Sequence, residues 1–167
     1  MIILGIDPGI NGGMCWINKD KIIKMCKIPI IKIEGRSFVD PCITYMVMNS
    51  CDIVVLEKQW GMPGDSPMTA FSIGAMFSSL YSCIYLAGAD VIIVPAVRWQ
   101  SALLGKRKNK GPKKSTKERA FNFISNVFPN ETFKRTQRCS TPDEGLVDSA
   151  CIAYYYKTLA PVSGGSP

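Results

Sequence analysis

Histidine is absent from this 167-residue chain, and its absence removes the usual side chain for two kinds of chemistry. Histidine is the commonest general base near neutral pH and a usual zinc ligand. The seven cysteines are odd in number and include no C-x-x-C pair, which argues against a disulfide framework and against a structural zinc site. We therefore expect free thiols, a reducing intracellular location, and any metal to be bound through oxygen.

Charge is absent from a second region, the segment from Pro67 to Ala89. A segment of this length can span a bilayer, but serine, threonine and glycine interrupt it and no basic anchor lies close to either end. We expect a helix buried in the core or at a dimer interface, and no membrane span. No basic region precedes the first apolar run, so we also expect no secretory signal.

The chain length fits one domain, which we expect to cover residues 1–160, followed by a flexible tail at 161–167. The net charge is +7, from 20 basic and 13 acidic residues, and such an excess favours a polyanionic partner. A solvated loop is the alternative interpretation of the densest basic stretch. That stretch contains Lys106, Arg107, Lys108, Lys110, Lys113, Lys114, Lys117 and Arg119.

Hydrophobic periodicity predicts an α/β fold built on a mixed five-stranded sheet flanked by helices. The first three strands should be antiparallel, and the later strands should be parallel because helices connect them. The predicted elements are strands at 2–7, 14–17 and 21–28, a helix at 37–49, a strand at 52–57, a helix within 67–89, a strand at 91–94, and helices at 97–104, 116–128 and 142–159.

Two of the predicted strands end in a carboxylate. Asp7 follows the apolar run that opens the chain, and Glu57 follows the run that begins at Ile53. If the two strands are parallel neighbours, both carboxylates lie at the same sheet edge, where α/β proteins place their chemistry. The alternatives are that Asp7 only opens a turn before Pro8 and that Glu57 is a surface strand end.

The last predicted helix adds two further acids. Glu144 and Asp148 are four residues apart and therefore share a helical face. Asp148 interrupts an apolar stretch, so it should be paired or metal-bound if it is buried, and it could otherwise lie on an exposed face. Glu144 also fits a capping box with Thr141, with Pro142 at the first helical position.

Four carboxylates without imidazole or thiolate favour Mg²⁺, with Mn²⁺ able to substitute. Two such ions about 3.5–4 Å apart can activate water and stabilise the leaving oxygen in phosphodiester hydrolysis. No side-chain base is then required. Gln59 and Trp60, directly after Glu57, are candidates to reach unstacked DNA bases; a core or dimer-interface tryptophan is the alternative for Trp60.

Three stretches resemble the signatures of RuvC-type Holliday junction resolvases: Gly5–Gly9, Val54–Glu57 and Asp148–Ala153. The resemblance runs from residue 1 to about residue 157. It implies an RNase H-like fold, a homodimer and four catalytic carboxylates. The implied activity is Mg²⁺-dependent paired nicking of four-way DNA junctions, with no small-molecule cofactor.

By this resemblance Asp7 and Glu57 correspond to the first two family acids and Asp148 to the last. Bacterial members have the third acid where this chain has Gly145. Glu144, one residue earlier, resembles the arrangement in phage and viral members, and Asp143 is the alternative.

The family also has lysines near the scissile phosphate. Lys117 resembles one of them, at the head of its helix. Another often follows the proline at position 95, where this chain has Arg98 and then Trp99 and Gln100. The predicted DNA contacts are therefore Gln59, Trp60, Arg98, Lys106, Arg107, Lys108, Lys110, Lys113 and Lys114.

Three other functions compete with a junction resolvase. The same fold and acids could serve an RNase H-like ribonuclease acting on structured RNA, because phosphate contacts to the two nucleic acids look alike. An actin-like sugar kinase would need a second lobe and a second phosphate loop. A non-catalytic basic nucleic-acid-binding module would make the acids structural. We expect an intracellular protein of the cytoplasm or of DNA replication sites, viral ones included.

Overall fold

The computed structural model describes residues 1–105 and 115–159. Outside these ranges lie the predicted tail at 161–167 and six of the predicted DNA-binding residues. Those six are Lys106, Arg107, Lys108, Lys110, Lys113 and Lys114.

Seven strands and five helices make up the described parts of the chain. The strands are β1 (Ile2–Asp7), β2 (Gly13–Asn18), β3 (Lys21–Lys27), β4 (Ile30–Ile33), β5 (Arg36–Val39), β6 (Ile53–Lys58) and β7 (Asp90–Pro95). The helices are α1 (Pro41–Met48), α2 (Pro67–Leu86), α3 (Ala96–Leu104), α4 (Thr116–Val127) and α5 (Glu144–Leu159).

The main sheet has the strand order β3-β2-β1-β6-β7. The first three strands pair antiparallel, and β6 pairs parallel with both β1 and β7. Helical connections precede β6 and β7, as parallel pairing requires. The predicted mixed five-stranded sheet with flanking helices is therefore confirmed.

A small hairpin that the sequence analysis did not predict precedes α1. Strands β4 and β5 pair antiparallel around Glu34 and Gly35, which both have positive φ angles of 49° and 77°. A two-residue turn of this kind joins antiparallel strands well, but Glu-Gly is a weaker signal than Asn-Gly. The prediction of a helix from residue 37 is wrong, because Asp40 caps α1 at Ile43 and Pro41 begins it.

Apolar residues pack on both faces of the main sheet. On one face Trp99, Ile124 and Ile152 from α3, α4 and α5 pack against Ile3 and Val55. On the other face the helices α1 and α2 pack against the alternate residues of the same strands, including Leu4 and Leu56. The sheet is thus covered by helices on both sides.

Helix α2 forms as predicted, but it is not buried in the core. Its buried residues are Met76, Leu80, Cys83 and Ile84. Among the described residues it alone is long and apolar enough to cross a membrane. Its most apolar stretch has a mean hydropathy of 1.3, and 22% of that stretch is buried. Length and composition are weak evidence for a span, and the outer side of α2 remains an exposed apolar surface.

Candidate active site

Asp7 and Glu57 lie side by side at the carboxyl ends of β1 and β6. The parallel register pairs Ile6 with Leu56, so the two acids follow at equivalent positions. Burial, followed by the charges of Glu57 and Asp148, raises the pKa of Asp7 to about 8. Burial likewise raises the pKa of Glu57, which accepts a hydrogen bond of 2.6 Å from Trp99 Nε1.

Asp148 approaches these acids from α5. Burial, followed by the charges of Glu57 and Glu144, raises the pKa of Asp148 to about 7. Three half-buried carboxylates therefore repel one another at one end of the sheet. Such a cluster favours protonation or a bound cation.

Close backbone contact carries α5 to this position. A Cβ on Gly5 of β1 would overlap the backbone of α5 at Ser149. A Cβ on Gly13 would likewise overlap Gly145 in the first turn of the helix. Because these glycines have no side chain, α5 lies directly on the first two strands and presents Asp148 beside Asp7.

Glu144 lies at the rim of the cluster. Its carboxylate accepts a hydrogen bond from Lys117 Nζ, and the two side chains are 61% and 66% exposed. The contact raises the pKa of Lys117. Lys117 stands in the first turn of α4, where Ser115 and Glu118 form a capping box. The structure thus brings Glu144 and Lys117 together, close to Asp148.

Asp143, the alternative third acid, has a different position. Its Oδ1 accepts hydrogen bonds from the backbone N of Leu146 at 3.2 Å and from Lys27 Nζ at 2.7 Å. Asp143 therefore caps α5, and its carboxylate is occupied by the helix end and an ion pair. The predicted capping box at Thr141 is wrong, because the helix begins at Glu144 rather than Pro142.

Lys27 is a site residue that the sequence analysis missed. Strand register pairs Asp7 with Gly13 and Gly13 with Lys27, which brings the lysine to the same sheet edge as the acid. Its Nζ also donates to Asn11 O, and its charge lowers the pKa of Asp7. The sequence does predict the hairpin of β2 and β3. The short connection between these strands determines their register, which places Lys27 opposite Gly13.

The predicted DNA contacts inside the described ranges fall at three places. Gln59 Nε2 donates to Pro8 O and lines the cavity beside Asp7. Trp60 is 66% exposed beneath Lys58 Nζ, which lies 4.2 Å from its ring centroid, so a core role is wrong. Arg98 lies in a groove with Tyr155 near the edge strand β7. The next residue, Trp99, is the one that donates a hydrogen bond to Glu57.

A cavity of about 730 Å³ opens over the acids. Asp7, Glu144 and Asp148 lie on one side, and Thr69 and Ser72 of α2 lie on another. Its lining combines these polar side chains with apolar ones, among them Ile73 and Met76.

Two comparisons by sequence find nothing: no protein-family model and no curated protein sequence matches this chain. Solved structures do match, and two of them cover almost all of it. A structure of Thermus thermophilus RuvC has 18% identity and a TM-score of 0.55, covering 95% of this chain and 96% of that one. T. thermophilus RuvC in complex with a Holliday junction substrate has 13% identity and a TM-score of 0.60, covering 96% and 97%.

The chain has a RuvC-like, RNase H-type fold. At these identities the likeness to RuvC establishes the fold alone. The chemistry of this chain depends on its own site residues. The coverage of both chains is nearly complete, so the likeness includes the strands that carry Asp7 and Glu57 and the helix that carries Asp148.

The candidate site has the donor chemistry for a hard divalent cation. Its acids offer oxygen ligands alone. Burial first, and mutual repulsion second, raise the pKa values of Asp7 and Asp148, and a cation would relieve the repulsion. Within residues 1–105 and 115–159, no three Asp, Glu, Cys or His side chains already stand together as a ligand set. Binding would therefore require side-chain rotation toward the ion.

Proposed function

We propose that this protein is a metal-dependent endonuclease that resolves four-way DNA junctions by paired phosphodiester hydrolysis as a homodimer. The observation that carries the proposal is the convergence of Asp7, Glu57 and Asp148 at the carboxyl end of a RuvC-like sheet. The structural neighbour that binds a Holliday junction supports the choice of substrate.

Asp7, Glu57 and Asp148 would hold Mg²⁺ or Mn²⁺, and Glu144 would complete the set for two ions. The chemistry that divalent cations supply at such a site is neutralisation of phosphate charge and activation of water. Lys117, paired with Glu144 at the rim, would bind the scissile phosphate as that pair opens. Trp99 would hold Glu57 in place by its hydrogen bond.

The DNA would be held by cationic and aromatic side chains around the cavity. Gln59 borders the cavity, and the exposed ring of Trp60 can stack on an unpaired base at the junction centre. Arg98 and the basic stretch at 106–114 would contact phosphates farther along the arms. Such contacts give a steep decline of affinity with salt.

The outer side of α2 would form the homodimer interface. Met68, Phe71 and Tyr85 are 54%, 58% and 79% exposed on a helix without charged residues. An exposed apolar surface of this kind is typical of a protein interface. Two equivalent cuts in a junction require two equivalent sites, which a two-fold dimer supplies. The proposal includes an intracellular location at sites of DNA replication.

The deciding experiment incubates purified protein with a labelled, immobile four-way DNA junction and Mg²⁺. We expect symmetric nicks that yield ligatable duplexes. Cleavage should be lost in EDTA and in Asp7→Asn, with junction binding retained, because that variant removes a central carboxylate. Asp90→Asn, an exposed aspartate at the start of β7, is the matched control and should cleave normally.

Other outcomes would contradict the proposal. Cleavage of RNA–DNA hybrids or structured RNA, with junction DNA left intact, would indicate a ribonuclease. Junction binding that leads to no metal-dependent cutting in Mg²⁺ or Mn²⁺ would indicate a non-catalytic binding module.

A further inference from the structure

A second groove lies beside the candidate active site, along the β3 edge of the sheet. It encloses about 320 Å³ between β3 and the segment at residues 131–135 that precedes α5. Four cationic residues border it, and Glu131 is its one acid among the described residues. The four are Lys24, Lys27, Lys134 and Arg135.

Lys27 joins this groove to the catalytic cavity, because its side chain lines both. Its charge is already engaged by Asp143 through the 2.7 Å ion pair. Lys134 and Arg135 have no carboxylate partner within the described parts of the chain, whereas Lys24 Nζ lies 5.2 Å from the ring centroid of Trp16. Positive charge therefore lines the groove from Lys27, where it meets the catalytic cavity, to Lys134 and Arg135.

The outer wall of the groove is held by a strained backbone. Phe133 has a φ angle of 53°, an uncommon conformation for a bulky residue, and its side chain is fully buried. It packs edge-on against Phe121 with ring centroids 6.5 Å apart. Its carbonyl oxygen accepts a 2.7 Å hydrogen bond from the backbone N of Asp143, the residue that caps α5.

This strain has a consequence for the neighbouring side chains. A positive φ at a buried phenylalanine persists where the surrounding packing stabilises it, and such strain concentrates at functional sites. Lys134 directly follows Phe133. The hydrogen bond from Asp143 N to Phe133 O holds this turn against the start of α5, where Glu144 directly follows Asp143. The cations therefore have a defined position relative to the acids of the cavity.

We propose that this groove binds the sugar-phosphate backbone of the DNA arm that leaves the catalytic cavity across β3. The proposal rests on the proposed function, since it names where the substrate of that site continues. Among the described residues the lining offers cations and no aromatic ring, so it should position the arm without reading its sequence.

The test measures junction binding by fluorescence anisotropy in EDTA over a range of NaCl concentrations. The double variant Lys134→Gln/Arg135→Gln should weaken binding at least about tenfold at moderate salt. It should also reduce the slope of log affinity against log salt by about 0.9 for each phosphate that the variant no longer neutralises. Cleavage in Mg²⁺ at subsaturating junction should fall in proportion to the loss of affinity.

The matched control is Lys19→Asn/Lys32→Gln, which removes the same two charges from exposed positions outside the groove. Asparagine suits residue 19 because its φ angle is 54°. The control should retain most of the affinity and the slope.

The groove proposal is overturned if the double variant binds like the control pair, and junction cleavage by the same samples would show that the proposed function still holds. Conversely, a groove-specific loss of affinity in a protein that never cleaves would support the groove and contradict the nuclease. The two proposals can therefore fail separately.

Discussion

Helices α5 and α2 cover opposite faces of the sheet and are both rich in apolar residues, yet they are buried to different degrees. Nine of the sixteen residues of α5 are buried, against four of the twenty residues of α2. Helix α5 touches the backbone of β1 and β2 through glycines, whereas α2 packs by one side. An apolar composition therefore predicts that a helix will be covered, but not what covers it.

The difference has a functional counterpart. The buried helix carries Asp148 to the sheet edge, where a small displacement would separate it from Asp7 and Glu57. The exposed helix contributes Thr69 and Ser72 to the cavity wall and leaves its outer side available to a partner. Central packing positions the acid Asp148, and peripheral packing leaves an apolar surface exposed on α2.

The largest expected effect comes from adding a methyl group at the α5 contact. Gly5→Ala should lower the free energy of unfolding by at least ~3 kcal/mol, because the new Cβ overlaps the backbone at Ser149. Gly74→Ala is the matched control in α2, where a Cβ meets nothing within 4 Å. It should stabilise by about 0.5–1 kcal/mol. Chemical denaturation measures both, and equal effects would refute the contrast.

A second prediction concerns the acids that α5 completes. Asp7 has a pKa of about 8 in the folded protein, above its ordinary value of 3.8, so the folded state binds its proton more tightly than the unfolded state does. Stability without metal should therefore fall as the pH rises from about 4 to about 8. Asp7→Asn should raise the melting temperature in EDTA by several degrees at pH 8 and by little at pH 5.

Thermal melts at the two pH values measure this effect, with Asp90→Asn as the control that keeps the wild-type pH dependence. Added Mg²⁺ should stabilise wild type at pH 8 more than Asp7→Asn. A wild-type protein equally stable at pH 5 and pH 8 in EDTA would contradict the raised pKa of Asp7.

The third prediction tests the exposed side of α2. Phe71→Asp and Tyr85→Asp should each weaken dimerisation at least ~30-fold, because a charge would enter an apolar interface. Sedimentation velocity measures the association. Val97→Asp makes the same kind of change at a 70% exposed residue of α3 and should leave it unaltered. If all three variants associate like wild type, α2 is not the interface.

The smallest effect on stability is expected at the rim. Lys117→Gln breaks an ion pair between exposed side chains, so the melting temperature should not change measurably. The rate of junction cleavage should nevertheless fall by about 10²-fold, as for loss of a group that stabilises phosphate charge. Single-turnover kinetics measure it, and Lys32→Gln, at an exposed residue of β4, is the control.

Sequence patterns predicted much of the sheet and the neighbouring positions of two acids. Asp7 and Glu57 each end an apolar run, and parallel pairing of those runs required their carboxylates to meet. The β4–β5 hairpin was not predicted, because its short strands lack a clear alternation and its turn is Glu-Gly. Lys27 was also missed, although the register of the predicted hairpin contained the information.

By itself the sequence determined most of the order of the elements, the β4–β5 hairpin excepted, and the oxygen-only character of the site, because hydrophobic period and residue type are local properties. Tertiary structure alone decided which helix is central, that Asp143 caps α5 while Glu144 points to Lys117, and that Trp99 contacts Glu57. These outcomes depend on which backbones approach closely and which charges meet. Both follow from packing between residues that are far apart in the chain.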